Sequence, residues 1–217
     1  MKKIVFNKNT FFLVEQGILY WPKNFVLVVS DLHLEKSSYF AKFGQFLPPY
    51  DSIETLNLLD EILKQHKVKT VILLGDVFHD NDGYDRLDRR AKLIFNKINN
   101  KYNLLFVVGN HDQDINIPNI KTYEDITIDG INFSHKPSNL NSHQVFGHFH
   151  PKILLKLNGK RIFKKCFIVS STKICMPAFG VFTGGLNVES DIFKKIFKQN
   201  KEYFLIDNSH IYQINLN

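Results

Sequence analysis

The apolar residues of this chain change their period from one segment to the next. Residues 25–29 form an unbroken apolar run, as expected of a strand covered on both faces, and residues 71–74 and 104–108 repeat it. Between these runs, Ile53, Leu56, Leu59, Ile62 and Leu63 fall at helical spacing through to about Lys67. Leu87, Ala91, Ile94 and Phe95 do the same ahead of the third run. Asp51-Ser52-Ile53-Glu54 reads as the first helix start, with Asp51 as N-cap and Glu54 reaching back to it. The stretch between the first run and Asp51 reads as irregular. The strand–helix–strand–helix–strand order predicts a parallel α/β sheet.

From about Tyr123 the period shortens. Strands are expected over 126–128, 131–133, 145–146, 153–157, 167–169, 173–176, 203–206 and 211–214, with one helix over 191–198. Asn158-Gly159 is a hairpin-turn signal. The second half therefore reads as a β-rich sheet packed on the first. No repeat, low-complexity tract or long linker divides the chain, so residues 1–217 read as a single domain.

Composition adds bounds. With 217 residues, 44% hydrophobic and 20 of them Phe, the chain is long enough to bury a substantial core. Its two cysteines, Cys166 and Cys175, read as small core residues and argue for a reducing compartment. Lys2 and Lys3 are followed by polar Asn7, Lys8, Asn9 and Thr10, so no signal-peptide core forms. No apolar run approaches the ~20 residues that span a bilayer. A cytoplasmic protein without membrane contact is expected. The net charge of +7 favours a polyanionic partner such as nucleic acid. Two groups carry much of it: Lys152, Lys156, Lys160, Arg161, Lys164 and Lys165, and Lys194, Lys195, Lys198 and Lys201.

The chemistry concentrates in five short clusters, each just after an apolar run. They are Asp31-Leu32-His33, Gly75-Asp76, Gly109-Asn110-His111-Asp112, Ser134-His135 and Gly147-His148-Phe149-His150. Any one of them alone would pass as a polar turn; five in order at strand exits specify one site, because loops at the carboxyl ends of α/β strands converge. Carboxylate, amide and imidazole donors suit a pair of Mn2+, Fe or Zn2+ ions about 3.5–4 Å apart. Such a pair polarises a phosphoryl oxygen and generates hydroxide from bound water. A further histidine, not a ligand, is expected as the acid that protonates the leaving oxygen.

The ordered set resembles the calcineurin-like metallophosphoesterase superfamily. The strings DLHLEK from Asp31, GQFLPPYD from Gly44, GDVFHD from Gly75 and PAFGVFTGGLN from Pro177 are similar to one branch, the ligase-associated DNA damage response endonucleases. The resemblance implies an α/β fold, a four-layer αββα sandwich. It implies Asp31, His33, Asp76 and His150 around one metal, and Asp76, Asn110, His135 and His148 around a second. Both metals are divalent ions, Mn2+ foremost with Fe or Zn2+ as alternatives. It implies metal-bound hydroxide as nucleophile, His111 as leaving-group acid and Asp112 as the residue that orients and charge-tunes it. DNA is the implied substrate and repair the implied setting, with a DNA ligase and a helicase as functional associates. His79 and Lys36 are candidate substrate contacts beside these motifs. Two other readings keep the fold: hydrolysis of a small nucleotide-type diester or monoester, and a non-catalytic scaffold that has lost turnover.

Overall fold

The computed structural model describes residues 1–138, 142–157, 159–198 and 200–215. It begins with three antiparallel strands, β1 (Lys2–Phe6), β2 (Asn9–Val14) and β3 (Ile18–Trp21), in a stretch where no strand was expected. Asn7 and Lys8 form the two-residue turn between the first two, both at positive φ, 44° and 60°. That is the geometry favoured in tight hairpins, here reached without the usual glycine.

The chain then builds β4 (Val26–Val29), α1 (Lys36–Ala41), α2 (Asp51–Gln65), β5 (Thr70–Leu74), α3 (Gly83–Arg86), α4 (Arg89–Lys101) and β6 (Asn103–Val107). The second half supplies β7 (Thr122–Tyr123), β8 (Asp125–Ile128), β9 (Ile131–Ser134), β10 (His143–Phe146), β11 (Lys152–Leu157), β12 (Lys160–Ser170) and β13 (Lys173–Cys175). It ends with α5 (Asp191–Ile196), β14 (Lys201–Asp207) and β15 (His210–Ile214). One sheet runs β1-β2-β3-β4-β5-β6-β7, parallel from β4 onward, and the other runs β15-β14-β12-β13-β10-β9-β8.

Alternation explains the unbroken apolar runs. Val26 and Val28 face the core between the sheets, with Phe11, Trp21, Phe133, Phe167 and Phe204, while Leu27 and Val29 face the helices. Ile72 and Leu74 divide from Val71 and Leu73 in the same way. On the outer face of the first sheet lie Leu59 and Leu63 of α2 and Phe95 and Ile98 of α4. Phe193 of α5 covers the second sheet through Phe146 and Ile168. The layers are therefore helix, sheet, sheet, helix.

Four local expectations change. Asp51 is the first residue of α2 rather than its cap; its carboxylate accepts from Ser37 N at 3.0 Å and Ser37 Oγ at 2.7 Å, tying α1 to α2. The stretch expected to be irregular holds α1. The helix expected from Leu87 starts at Arg89, because the Asp88 carboxylate accepts from Ala91 N and caps it there. The basic group on β11 and β12, which as a strand face would make one basic patch, divides: Lys152 faces Lys165 across the pair, while Lys164 lies on the other face and pairs with Asp207. Asn158 of the hairpin signal lies outside the described residues. Among the described residues no helix is long and apolar enough to cross a membrane.

Candidate metal centre

All five clusters emerge at one edge, from β4, β5 and β6 of the first sheet and β9 and β10 of the second. The ladder between β4 and β5 continues past the strand ends through Asp31 N to Gly75 O at 3.1 Å and His33 N to Asp76 O at 2.9 Å. Gly147 N donates to His135 O at 3.1 Å and ties the two exits of the second sheet. Asp31, His33, Asp76, His148 and His150 all take positive φ, between 46° and 70°. Each such backbone costs on the order of 1–3 kcal/mol, the kind of strain that accumulates at functional sites. Gly75 is needed where it is: at φ 76° a β-carbon would run into the His135 ring.

The donor atoms form two groups. In the first, His150 Nε2 lies 3.1 Å from Asp31 Oδ1 and 3.3 Å from His33 Nε2. In the second, His135 Nε2 lies 3.2 Å from Asp76 Oδ2, 3.1 Å from His148 Nδ1 and 3.2 Å from Asn110 Oδ1. Asp76 Oδ2 is also 4.0 Å from His33 Nε2, so one oxygen faces both groups. Within each of the sets Asp31–His33–His150 and Asp76–His135–His148, the ligand atoms lie within 4.8 Å of one another.

These spacings fit a cation. Donors about 2.1 Å from one ion at ordinary coordination angles stand about 3.0–3.4 Å apart. With its Nδ1–H on the Leu74 carbonyl, a neutral His135 turns its Nε2 lone pair toward Asp76 Oδ2 and Asn110 Oδ1, and a cation among them satisfies all three. The protonation states of His33 and His148 agree, while against burial the hydrogen bond of Asp76 and the charge of Asp31 raise His135. Burial pushes His33 down to about 3 against the opposing charge of Asp31, and burial with His135 pushes His148 down to about 4. Burial works to raise Asp76, but the hydrogen bond and charge of His135 and the His111 amide hold it below the usual carboxylate range. Deprotonated imidazole and ionised carboxylate are the metal-binding forms.

A second layer orients these donors. Ser30 Oγ donates to Asp31 Oδ2 at 2.6 Å, and His148 N donates to the same oxygen at 3.0 Å. His135 Nδ1 lies 3.2 Å from the Leu74 carbonyl. His33 Nδ1 lies 3.4 Å from His79 Nδ1. Partners of this kind set tautomer and ring orientation. Ser30 was not recognised from sequence, although its position directly before Asp31 at a strand end is the signal available.

His111 stands beside the two groups. Its Nδ1 lies 3.1 Å from the His79 carbonyl oxygen, and its ring stacks on His79 with centroids 4.8 Å apart. Asp112, expected to orient and charge-tune His111, has both carboxylate oxygens on backbone amides. Asp112 Oδ1 accepts from Gly109 N at 2.6 Å, and Oδ2 from Val77 N at 2.7 Å and Phe78 N at 3.1 Å. The fully buried Asp112 is a clasp between two strand-exit loops, and burial raises it to about 6 against those amides.

The other candidates divide. His79 joins His33 and His111 in a third close group and is covered by Tyr39, with ring centroids 4.7 Å apart. Lys36 Nζ donates to the Phe182 carbonyl at 3.0 Å, and its charge reaches His79. Glu35, which a nucleic-acid groove would expose, is buried and accepts from Ser52 Oγ at 2.8 Å.

Comparison with known proteins agrees with this geometry. Residues 26–204 match the family model of the calcineurin-like phosphoesterases. The crystal structure of Pseudomonas putida nuclease MPE has the same fold, with TM-score 0.77 and 24% identity over 98% of this chain and 99% of that one. A single mutant of Vps29 from Entamoeba histolytica aligns with TM-score 0.38 and 14% identity over 88% of this chain and 99% of that one. No curated protein matches the chain. With the matched span running from β4 into β14 and enclosing every donor described above, the chain belongs to the calcineurin-like phosphoesterase family and is a metal-dependent phosphoesterase.

Proposed function

We propose that this phosphoesterase is a DNA endonuclease with a role in repair, its whole chain forming one catalytic unit around two divalent cations, Mn2+ before Fe or Zn2+. One observation carries the two-metal reading: Asp76 Oδ2 faces both donor groups, 3.2 Å from His135 and 4.0 Å from His33, as a bridging carboxylate must. Asp31, His33, Asp76 and His150 would hold the first cation, and Asp76, Asn110, His135 and His148 the second. Bound cations would supply Lewis acidity toward the phosphoryl group and charge stabilisation for the entering and leaving oxygens. DNA as substrate is supported by the net charge of +7, by the four strings of the endonuclease branch and by the fold shared with a nuclease.

The chain's own residues do the proton work. The His79 carbonyl takes the Nδ1 proton of His111, so the proton that the protonated ring can deliver is the one on Nε2. His111 then protonates the leaving oxygen and remains as the neutral Nδ1–H tautomer. Asp112 holds the Gly109–Asp112 loop against Val77 and Phe78 so that His111 keeps its place.

The test is cleavage of DNA and of bis(p-nitrophenyl) phosphate with Mn2+. Asp76→Ala loses turnover of both. His111→Ala loses roughly 10²–10⁴-fold on DNA, the usual worth of a general acid, and less on the aryl ester, whose leaving group needs no proton. Full DNA cleavage by either variant would sink the mechanism. Wild-type turnover of the aryl diester without DNA cleavage would move the substrate to a small nucleotide-type diester.

A further inference from the structure

The loop between β13 and α5 carries three ammonium groups on its backbone. Lys165 of β12 donates to the carbonyls of Ala178 at 2.7 Å and Gly180 at 3.1 Å. Lys36 of α1 donates to Phe182 at 3.0 Å, and Lys152 of β11 to Thr183 at 2.9 Å. The loop is itself fastened to the metal centre: Phe179 N donates to Ser30 O at 2.8 Å, Gly180 N to Asp31 O at 3.2 Å and Leu186 N to Phe149 O at 3.1 Å. Three cations from three elements therefore converge on a loop anchored to Ser30, Asp31 and Phe149.

Five of the described lysines elsewhere in the molecule pair with aspartates. Lys42 pairs with Asp80, Lys64 and Lys97 with Asp60, Lys164 with Asp207 and Lys194 with Asp191. Among the described residues no carboxylate forms an ion pair with Lys36, Lys152 or Lys165. The carboxylates whose charge reaches them are already engaged, Asp51 by Ser37 and Asp31 by Ser30, His148 and His150. Like charges gathered without a counter-charge at the edge of a phosphoester site attract an anion. An ammonium has three donors and each loop carbonyl takes one, so Lys36 and Lys152 retain donors for a ligand.

We propose that Lys36 and Lys152 bind the backbone phosphate adjacent to the scissile one, with Lys165 as a fixed charge behind them. The proposal rests on the DNA-cleaving reading and deepens it. Mononucleotides and aryl diesters lack a second phosphate, so this pair makes a polynucleotide the preferred substrate. Phosphate contacts of this kind position the strand without reading its sequence.

The experiment compares cleavage of the central linkage in a thymidine tetranucleotide with ordinary or methylphosphonate flanking linkages, with Mn2+ present. Neutral flanks should lower wild-type kcat/KM by about tenfold or more, as loss of charge-assisted contacts does. In the Lys36→Gln/Lys152→Gln variant, which keeps a donor for each loop carbonyl, the charged and neutral flanks should differ little. The ratio is taken on one preparation, so a general loss of activity cancels. An unchanged ratio in the variant, or no flank effect in the wild type, overturns the subsite. Hydrolysis of bis(p-nitrophenyl) phosphate is measured alongside: if it persists while the ratio fails, only the subsite falls, and if it is absent the phosphodiesterase reading falls with it.

Discussion

At Gly109 there is no room for a side chain, because the Asp76 carboxylate and amide occupy the place a β-carbon would take. Gly109→Ala should therefore displace the Asp76 carboxylate. We expect a loss of about 1–3 kcal/mol in stability, as for other overpacked sites, and weaker Mn2+ binding, seen together by urea titration and calorimetry. Wild-type metal affinity in that variant would contradict the close approach. At this scale the motif residues were readable from sequence, since a carboxylate, amide or imidazole at a strand exit has few other uses in such a series. The destination of each oxygen was not. Asp112 sits next to His111, yet its carboxylate serves Val77 and Phe78, 35 and 34 residues away. Adjacency in the chain suggested one partner, and folding supplied others.

Among the elements, β12 carries the least expected group, the largely covered Lys165 ammonium. Burial and the charge of Lys152 lower it to about 8 from the usual 10.5. Below pH 8 it is protonated in both folded and unfolded chains, and its charging penalty is constant. Between about pH 8 and 10.5 the unfolded chain binds more protons, so stability rises with pH. The gain reaches about 2–3 kcal/mol by pH 10. Lys165→Met should remove that rise, which urea unfolding at pH 7.5 and pH 10 would reveal; parallel profiles for the two proteins would refute it. The helices α2 and α4 and the parallel strands followed from apolar periodicity, because each has one or two broad apolar faces. The hairpins β1–β3 did not. Their turn at Asn7-Lys8 lacks glycine, and short strands with one polar face resemble a loop when read in isolation. The helix α1 is equally hidden, being stabilised by Asp51 and Ser52 of α2 rather than by its own caps.

For the whole molecule, the seven donors come from both sheets, so a bound cation ties the two halves of the sandwich together. Mn2+ at 100 times its dissociation constant should stabilise the fold by about 2.7 kcal/mol, which raises Tm by about 5–10 °C. A chelator should reverse the shift, and Asp76→Ala should abolish it, in a thermal melt with and without metal. The sequence by itself determined the donor chemistry, the strand-exit setting and the α/β alternation, since each depends on residue types within a few positions of one another. Tertiary structure alone decided that Asp76 Oδ2 stands between two donor groups and that His148 meets Asp31 across 117 residues. It also decided that three lysines share one loop. These are contacts between segments remote in the chain, and only closure of the two-sheet core brings them within hydrogen-bonding distance.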